Sequence, residues 1–575
     1  MPQTRTGTEG RLAPGLRTAC AAAGAAAGLC MAALCAAGGA AGDAAQPALE
    51  TPPESNTCAN APGPVSVGTA QWSGWGRDPE NSRYQPEPAL RAADVPKLAL
   101  KWAYGYRSKA AYGQPTVVDG RLFVTNSAGR IYSLDAGTGC TYWTFDASAG
   151  VRTAISVGQL APARPPHMPK ASKRRHVHID AHVDVDKPPA AVFFGDDGGA
   201  VYALDAQRGT LLWKTQADTN PAARITGAPT LFRDRLYVPV SSAQAAAETQ
   251  GGGPCCGFRG SVVAIGITTG RILWKTYTVQ AAGGDQGTGA AGIAVGSAPT
   301  VDPARGVLYV ATGDSYADPA QPMHDALVAL DLDDGKPRWV KQVAPQHHHP
   351  VKADADFRAS PILRSLPSGK QILLLTERSG VVYGLDPDRG GEIFWQTPVQ
   401  PDGIHASTEW GAAADHRNIY IATGDAEAGI DNPGAAGAGD ANGAAAARPV
   451  AALTAINIAT GKPRWSTPAP TPACSWGAGP CSHSQSQAVT VIPGAAFSGS
   501  LDGHLRAYST IDGKIIWDFD TAREYRTVNG VVAHGGSLDH GGATVVDGVV
   551  YVNSGYGAGG GFAGNVLLAF SADGK

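Results

Sequence analysis

One pattern recurs along this chain and sets the limits of its fold. A strand ends in Leu-Asp or a near equivalent, a turn closes on Gly, and a Trp stands four positions later. The copies read IYSLDAGTGCTYW, VYALDAQRGTLLW, VVAIGITTGRILW, LVALDLDDGKPRW, VYGLDPDRGGEIFW, LTAINIATGKPRW and LRAYSTIDGKIIW. Their Gly/Trp pairs are Gly139/Trp143, Gly209/Trp213, Gly270/Trp274, Gly335/Trp339, Gly391/Trp395, Gly461/Trp465 and Gly513/Trp517. The internal spacing never changes, whereas successive glycines stand 52 to 70 residues apart. Insertions therefore fall between these hairpins, as in folds built from one repeated unit.

An eighth copy, LLAFSADGK, stops one residue after Gly574 without its Trp strand, and a matching strand, KLALKW, ends in Trp102 near the start. The expectation is ring closure, with the N-terminal strand completing the last repeat; an open solenoid would carry caps instead. Eight four-stranded antiparallel blades closed into a ring make an all-β, eight-bladed β-propeller. The apolar runs RLFVTN, RLYVPV, VLYVAT, NIYIAT and VVYVNS are expected as its inner strands. Each Gly supplies a left-handed turn residue, and each Trp fills a seam between blades.

Abundant Gly (74 residues) suits short strands and tight turns, and a net charge of −3 offers no basic face to nucleic acid. The start reads as an export signal. Arg5, Arg11 and Arg17 precede a small, apolar stretch over 19–41, and GGAAGDAAQ offers cleavage positions. A single membrane anchor is the alternative, disfavoured because Ala/Gly-rich segments insert weakly. A lipid anchor at Cys30 or Cys35 is disfavoured by the bulky Leu29 and Leu34 before them. The expected organisation is a signal over 1–45, a linker over 46–70 and the propeller over 71–575. Two inserts, the basic, His-rich 162–189 and the low-complexity 427–449, read as solvated loops. The expected location is periplasmic or secreted, with no membrane span after signal removal.

Loss of the signal leaves Cys58, Cys140, Cys255, Cys256, Cys474 and Cys481. An even count in an exported chain reads as disulfides. Cys474–Cys481 closes a short loop and is favoured first, then Cys255–Cys256, which leaves Cys58 with Cys140. The adjacent pair is awkward. Consecutive Cα atoms lie about 3.8 Å apart, while ordinary disulfides want roughly 4.4–6.8 Å. Free thiols, bonds to distant cysteines and a strained ring all stay open on that ground.

The strings between repeats add a resemblance. WSGWGRDPENSRYQ, VRTAISVG, CCGFRGSVVAI, YVATGDSYADP, DFRASPIL, WDFDTAREYRTVNG and YVNSGYG resemble segments of pyrroloquinoline quinone (PQQ)-dependent alcohol dehydrogenases, most of all polyvinyl alcohol dehydrogenase-like proteins. The resemblance covers most of the mature chain. It implies a planar, carboxylate-bearing quinone, a Ca²⁺ and an Arg that polarise it, and a carboxylate that takes the alcohol proton. On this basis Asp356 is the catalytic carboxylate and a Ca²⁺ ligand, Asp314 is a second metal ligand, and Arg378 sits at the quinone oxygens. Arg152 and Ser156 fall in a cofactor-contacting segment, Trp410 in one lining the pocket, and Cys255–Cys256 match a vicinal ring against the cofactor plane. The bland alternatives are a turn cap for Asp356, a hairpin surface for Arg378 and turn chemistry for Asp314 in TGDS. The implied substrate is a secondary, diol or polymer alcohol.

Some positions depart from the family pattern. Pro254 stands where an acidic residue tends to precede the double Cys, and Gln244 and Ala245 where relatives tend to be acidic. Gly296 replaces an aromatic platform, and Arg358 replaces a common Gly. Fewer carboxylates imply a weaker Ca²⁺ site. No Cys-x-x-Cys-His is present, so electrons are expected to leave to a separate cytochrome c-type carrier. His347–His349 cannot readily face one ion from an extended segment, because side chains alternate; His167, His176, His178 and His182 lie in the first insert. The departures leave a second hypothesis open: a propeller without cofactor that binds partners as an envelope assembly scaffold. A hydrolase has no nucleophile–base constellation to support it.

Overall fold

The computed structural model of the protein describes residues 56–107, 113–160, 189–242, 258–279, 292–313, 322–343, 357–399, 406–407, 410–425, 451–471, 474, 482–557 and 561–574. Almost every element among them is a strand; the two helical pieces, Val95–Lys97 and Pro387–Arg389, are short 3₁₀ turns. Eight antiparallel sheets follow one another: blade 1 (116–146), blade 2 (156–216), blade 3 (230–277), blade 4 (300–342), blade 5 (362–398), blade 6 (413–468), blade 7 (490–520) and blade 8 (544–571). Blade 8 is completed by Ala99–Gly105, paired antiparallel to Val566–Ser571 with Ala99 opposite Ser571. The eight blades and the N-terminal closure are as expected.

The repeat explains the seams. Every repeat Gly has a positive φ, between +67° and +76°, at the turn between the third and fourth strands. In all seams but that between blades 7 and 8, the Trp of one blade lies on the Gly of the next: a Cβ on Gly209 would sit 2.5 Å from the Trp143 ring, and one on Gly513 2.6 Å from Trp465. Gly therefore answers two demands, the left-handed turn and the flat contact. In seven of the eight seams the indole N–H also donates to a carbonyl of the next blade, from 2.7 Å at Trp213 to 3.3 Å at Trp102. Where the sequence reads Trp-x-Thr, the Thr hydroxyl bonds the carbonyl of that same Gly, as Thr215 does to Gly270 at 2.6 Å.

The inner end of each blade differs from expectation. RLFVTN and its equivalents are the second strands, and the innermost strands are short pieces such as Thr116–Val118 and Thr300–Asp302. Two to four residues are too few to show a period, so the longer neighbours dominated the sequence pattern. The short strands open on a hydroxyl in six blades. Thr116, Ser156, Thr230, Thr300, Thr490 and Thr544 each donate to the carbonyl just before the next blade's first strand, at 2.5–2.8 Å. Blade 6 has Ala413 there, and Arg83 Nε takes its place by donating to Val489 O at 2.7 Å.

Arg83 belongs to a segment that fills the axis. Residues 72–85 (WSGWGRDPENSRYQ) bond the first strands of seven blades. Val117, Val157, Val301, Leu363, Ala414 and Val491 donate their N–H groups to Trp72, Ser73, Pro79, Glu80, Ser82 and Arg83, and Gln85 reaches Val545 of blade 8. The inward edges of the sheets would otherwise present unpaired backbone. Before this plug, Cys58 is joined to Cys140 of blade 1, and the carbonyls of Pro62 and Gly63 accept from Gln207 and Arg121. The stretch expected as a linker is thus fastened to blades 1 and 2 from residue 56 onward. Cys474 is disulfide-bonded as well, and Cys481, its expected partner, lies outside the described residues. No helix among the described residues is long and apolar enough to cross a membrane.

Candidate functional site

Eight strands meeting at one axis leave room only for small side chains. Two positions before the hydroxyl ring stand Ala154, Ala228, Ala298, Ser360, Gly411, Ala488 and Gly542, with Gln114 in blade 1. Trp75 of the plug lies inside this collar, packed against Ala154, Ala228, Ala298 and Ala488. The guanidinium of Arg83 stacks on Trp75, 4.7 Å from its centroid, and donates to Trp75 O at 2.8 Å and Gln114 Oε1 at 2.6 Å. Arg83 is fully buried, and burial pulls its pKa down to about 9.

A small pocket opens on this floor. Blades 2 to 5 contribute a wall of small residues, among them Thr153, Gly227, Gly296 and Ser297; Trp410 and His540 stand on the other side. The wall is open at Gly296, where an added Cβ would meet only Thr226 Oγ1, at 3.8 Å. Arg358 is part of the lining. Three buried polar atoms around the pocket have no hydrogen-bond partner: Ser297 Oγ, Ser360 Oγ and His540 Nδ1. Buried polar groups are normally paired, so such a cluster in one cavity points to a polar occupant.

The sequence-predicted residues fall into three groups. Trp410 lines the pocket, its indole donating to Asp539 Oδ1 at 2.6 Å and its ring 4.3 Å from that of His540. Arg152 lies at the same end of the ring, with Nε 3.2 Å from Asp197 Oδ1, and its charge acts on His540. Arg378 occupies the turn between Gln371–Thr376 and Val381–Asp386, at this same end of blade 5. Its neighbour Glu377 accepts a 2.6 Å bond from the Tyr383 hydroxyl. Ser156 stands apart, with its hydroxyl donated to Pro229 O at 2.5 Å in the inter-blade ring. Asp314, Asp356, Cys255 and Cys256 lie outside the described residues, as do Pro254 and the histidines of 167–182 and 347–349. Among the described residues no group of three or more His, Cys, Asp or Glu could hold a metal.

Sequence reasoning missed Trp75, Arg83 and His540. The first two lie in a quoted string whose role as a plug has no side-chain signature, since its bonds are mostly to backbone. His540 appears once, in SLDHGG, and no repeat announces it.

Comparison with known proteins adds to this geometry. The family described as "PQQ: Glucose/ethanol/alcohol dehydrogenase, beta-propeller domain" matches residues 72–413, and that described as "Outer membrane protein assembly factor BamB" matches 378–575. A polyvinylalcohol dehydrogenase of Pseudomonas sp is 40% identical over 559 residues, covering 92% of this chain and 81% of that protein. One from Sphingopyxis sp. (strain 113P3) is 37% identical, covering 91% and 80%. Among solved structures, the quinohemoprotein alcohol dehydrogenase of Comamonas testosteroni has the same fold, with a TM-score of 0.63 at 18% identity, over 88% of this chain and 81% of that one.

Proposed function

The chain belongs to the PQQ-dependent alcohol dehydrogenase family, and from that premise we propose that it is an exported enzyme that oxidises a secondary, diol or polymer alcohol and passes the electrons to a separate cytochrome c-type carrier. The observation that carries this reading is the similarity to polyvinylalcohol dehydrogenases along nearly the whole chain. The axial pocket supports it. An aromatic floor, unpartnered polar atoms and an arginine at the edge suit a flat, carboxylate-bearing group. PQQ, when bound, supplies the two-electron acceptor that side chains lack.

The chain's own residues do the rest. Arg152 and Arg378 would hold the anionic cofactor, Trp410, its indole fixed by Asp539, would bound it, and Cys255 and Cys256 would contribute to the same site. Asp356 takes the proton of the substrate hydroxyl, and Asp314 and Asp356 offer oxygen ligands to Ca²⁺. Ser156 acts through the wall, since its hydroxyl is already donated to Pro229.

The test is dye reduction by the purified chain, given PQQ and Ca²⁺, with a panel of secondary alcohols and diols and with polyvinyl alcohol. Turnover is expected, and Asp356→Asn should lower it by roughly 10²–10⁴-fold while keeping the cofactor. Neither cofactor binding nor dye reduction anywhere on the panel would overturn the reading. The match of residues 378–575 to an assembly-factor family favours a second one, a propeller that binds envelope proteins without cofactor. Specific capture of a protein partner by a chain that shows no quinone absorbance after PQQ addition would select it.

A further inference from the structure

His540 is an unusual residue for its place. It is 2% exposed, lies in the lining of the axial pocket, and has a positive φ of 61°. Non-glycine residues at such angles are uncommon, and when the surroundings impose them they cluster at functional sites. The surroundings here do impose it. The backbone after it is closely packed: a Cβ on Gly541 would lie 2.8 Å from Gln114 of blade 1, and one on Gly542 would collide with Arg83 of the plug.

Aromatic rings enclose the imidazole on three sides. Trp410 lies 4.3 Å away, Tyr556 is stacked at 5.9 Å, and Trp75 presents an edge at 6.0 Å. Burial, with the charges of Arg152 and Arg83 behind it, pushes its pKa down to about 3, so the ring is neutral at any working pH. A neutral imidazole has one N–H to give and one nitrogen to accept with. Nδ1 has no partner. Leaving such a group unpaired is unfavourable, and the pocket is where a partner can enter.

We propose that His540 is a positioning residue for the bound cofactor, with Nδ1 hydrogen-bonded to a polar atom of the quinone's ring system and the imidazole locked between Trp410, Trp75 and Tyr556. The inference rests on the PQQ reading above and extends it to a residue outside the sequence-derived set. Ser297 and Ser360, also unpartnered, supply further hydrogen bonds around the same occupant.

The experiment is a titration of the full-length chain with PQQ in excess Ca²⁺, followed by quenching of tryptophan fluorescence and by the shift in melting temperature. His540→Leu, similar in size without a ring nitrogen, should raise the Kd for PQQ roughly tenfold or more and melt, without cofactor, at the wild-type temperature or above. His540→Asn, which keeps polar atoms near Nδ1, should recover most of the affinity. Wild-type affinity in His540→Leu overturns the proposal, as does a cofactor-free protein that is destabilised while PQQ binds normally. If His540→Leu does not fold, the wild-type protein with ¹⁵N-labelled histidine decides: a PQQ-induced shift of a buried, non-titrating imidazole supports the contact, and its absence overturns it. A wild-type chain that binds no PQQ at all removes the functional reading, and this inference with it.

Discussion

At the outer seams the blades repeat one device with little change; at the mouth of the axial pocket they differ. Seven of the eight seams put a Trp on a Gly, most have an indole-to-carbonyl bond, and four have a Thr bond beside it. The collar keeps residues small in seven of the eight blades. Just above it the blades offer Thr153, Gly227, Ser297, Trp410 and His540 in turn. Identical seams hold identical sheets at fixed angles, and that leaves the axial positions free to differ. A concave site can then be written one residue at a time without disturbing the packing that holds it.

Mutations can break or sharpen this contrast. Trp75→Ala should have the largest effect, because Trp75 belongs to both regimes: it fills the collar, carries Arg83 and floors the pocket. Urea unfolding should show a loss of about 3–5 kcal/mol, and PQQ titration a loss of affinity as well. Trp395→Ala, in a seam, should cost a similar 3–5 kcal/mol yet leave PQQ affinity of the folded protein unchanged. If both variants lose affinity equally, the separation of seam from axis is wrong. Thr116→Val removes one member of the hydroxyl ring and leaves Ile155 O unpaired, which should cost about 1 kcal/mol in the same unfolding assay.

The smallest effect expected is on pH. His504 Nδ1 lies 2.6 Å from Asp518 Oδ1, and that carboxylate raises the imidazole pKa in the folded state. A raised histidine pKa contributes stability that is fully present below the unfolded value, about 6.5, and is lost as pH rises through the folded value. The stability difference between wild type and His504→Gln, followed by urea unfolding, should therefore shrink on going from acid to neutral and alkaline pH. His540 contributes the opposite dependence: its pKa is held down to about 3, so its share of stability is present above the unfolded value of about 6.5 and is lost as pH falls below it.

The same contrast explains what was legible in the sequence. Blade number, the seam role of Gly and Trp, and closure by KLALKW were readable because repetition exposes them. The Trp-x-Thr bonds and the small collar before each innermost strand carried equally regular signals that went unread. The axis was harder for physical reasons. Innermost strands of two to four residues hold no period, which is why their longer neighbours were mistaken for them. The plug works largely through its carbonyls, which any residue possesses. Trp410 and Arg152 came from family resemblance and do lie at the axial end, whereas Ser156, from the same source, has its hydroxyl engaged in the inter-blade ring. His540 has no counterpart in the other repeats, and only packing reveals its unpaired nitrogen.

The plug also fixes an order of events. Residues 72–85 are made early, yet the partners that hold them are spread from Val117 to Val545, and Gly542 of the last repeat closes over Arg83. The strand after the plug finds its mate only at Val566–Ser571. Contacts this distant along the chain form late and slowly. The floor of the pocket is therefore complete only when both ends of the chain have met, and a site that needs both ends makes its occupancy a mark of a finished molecule.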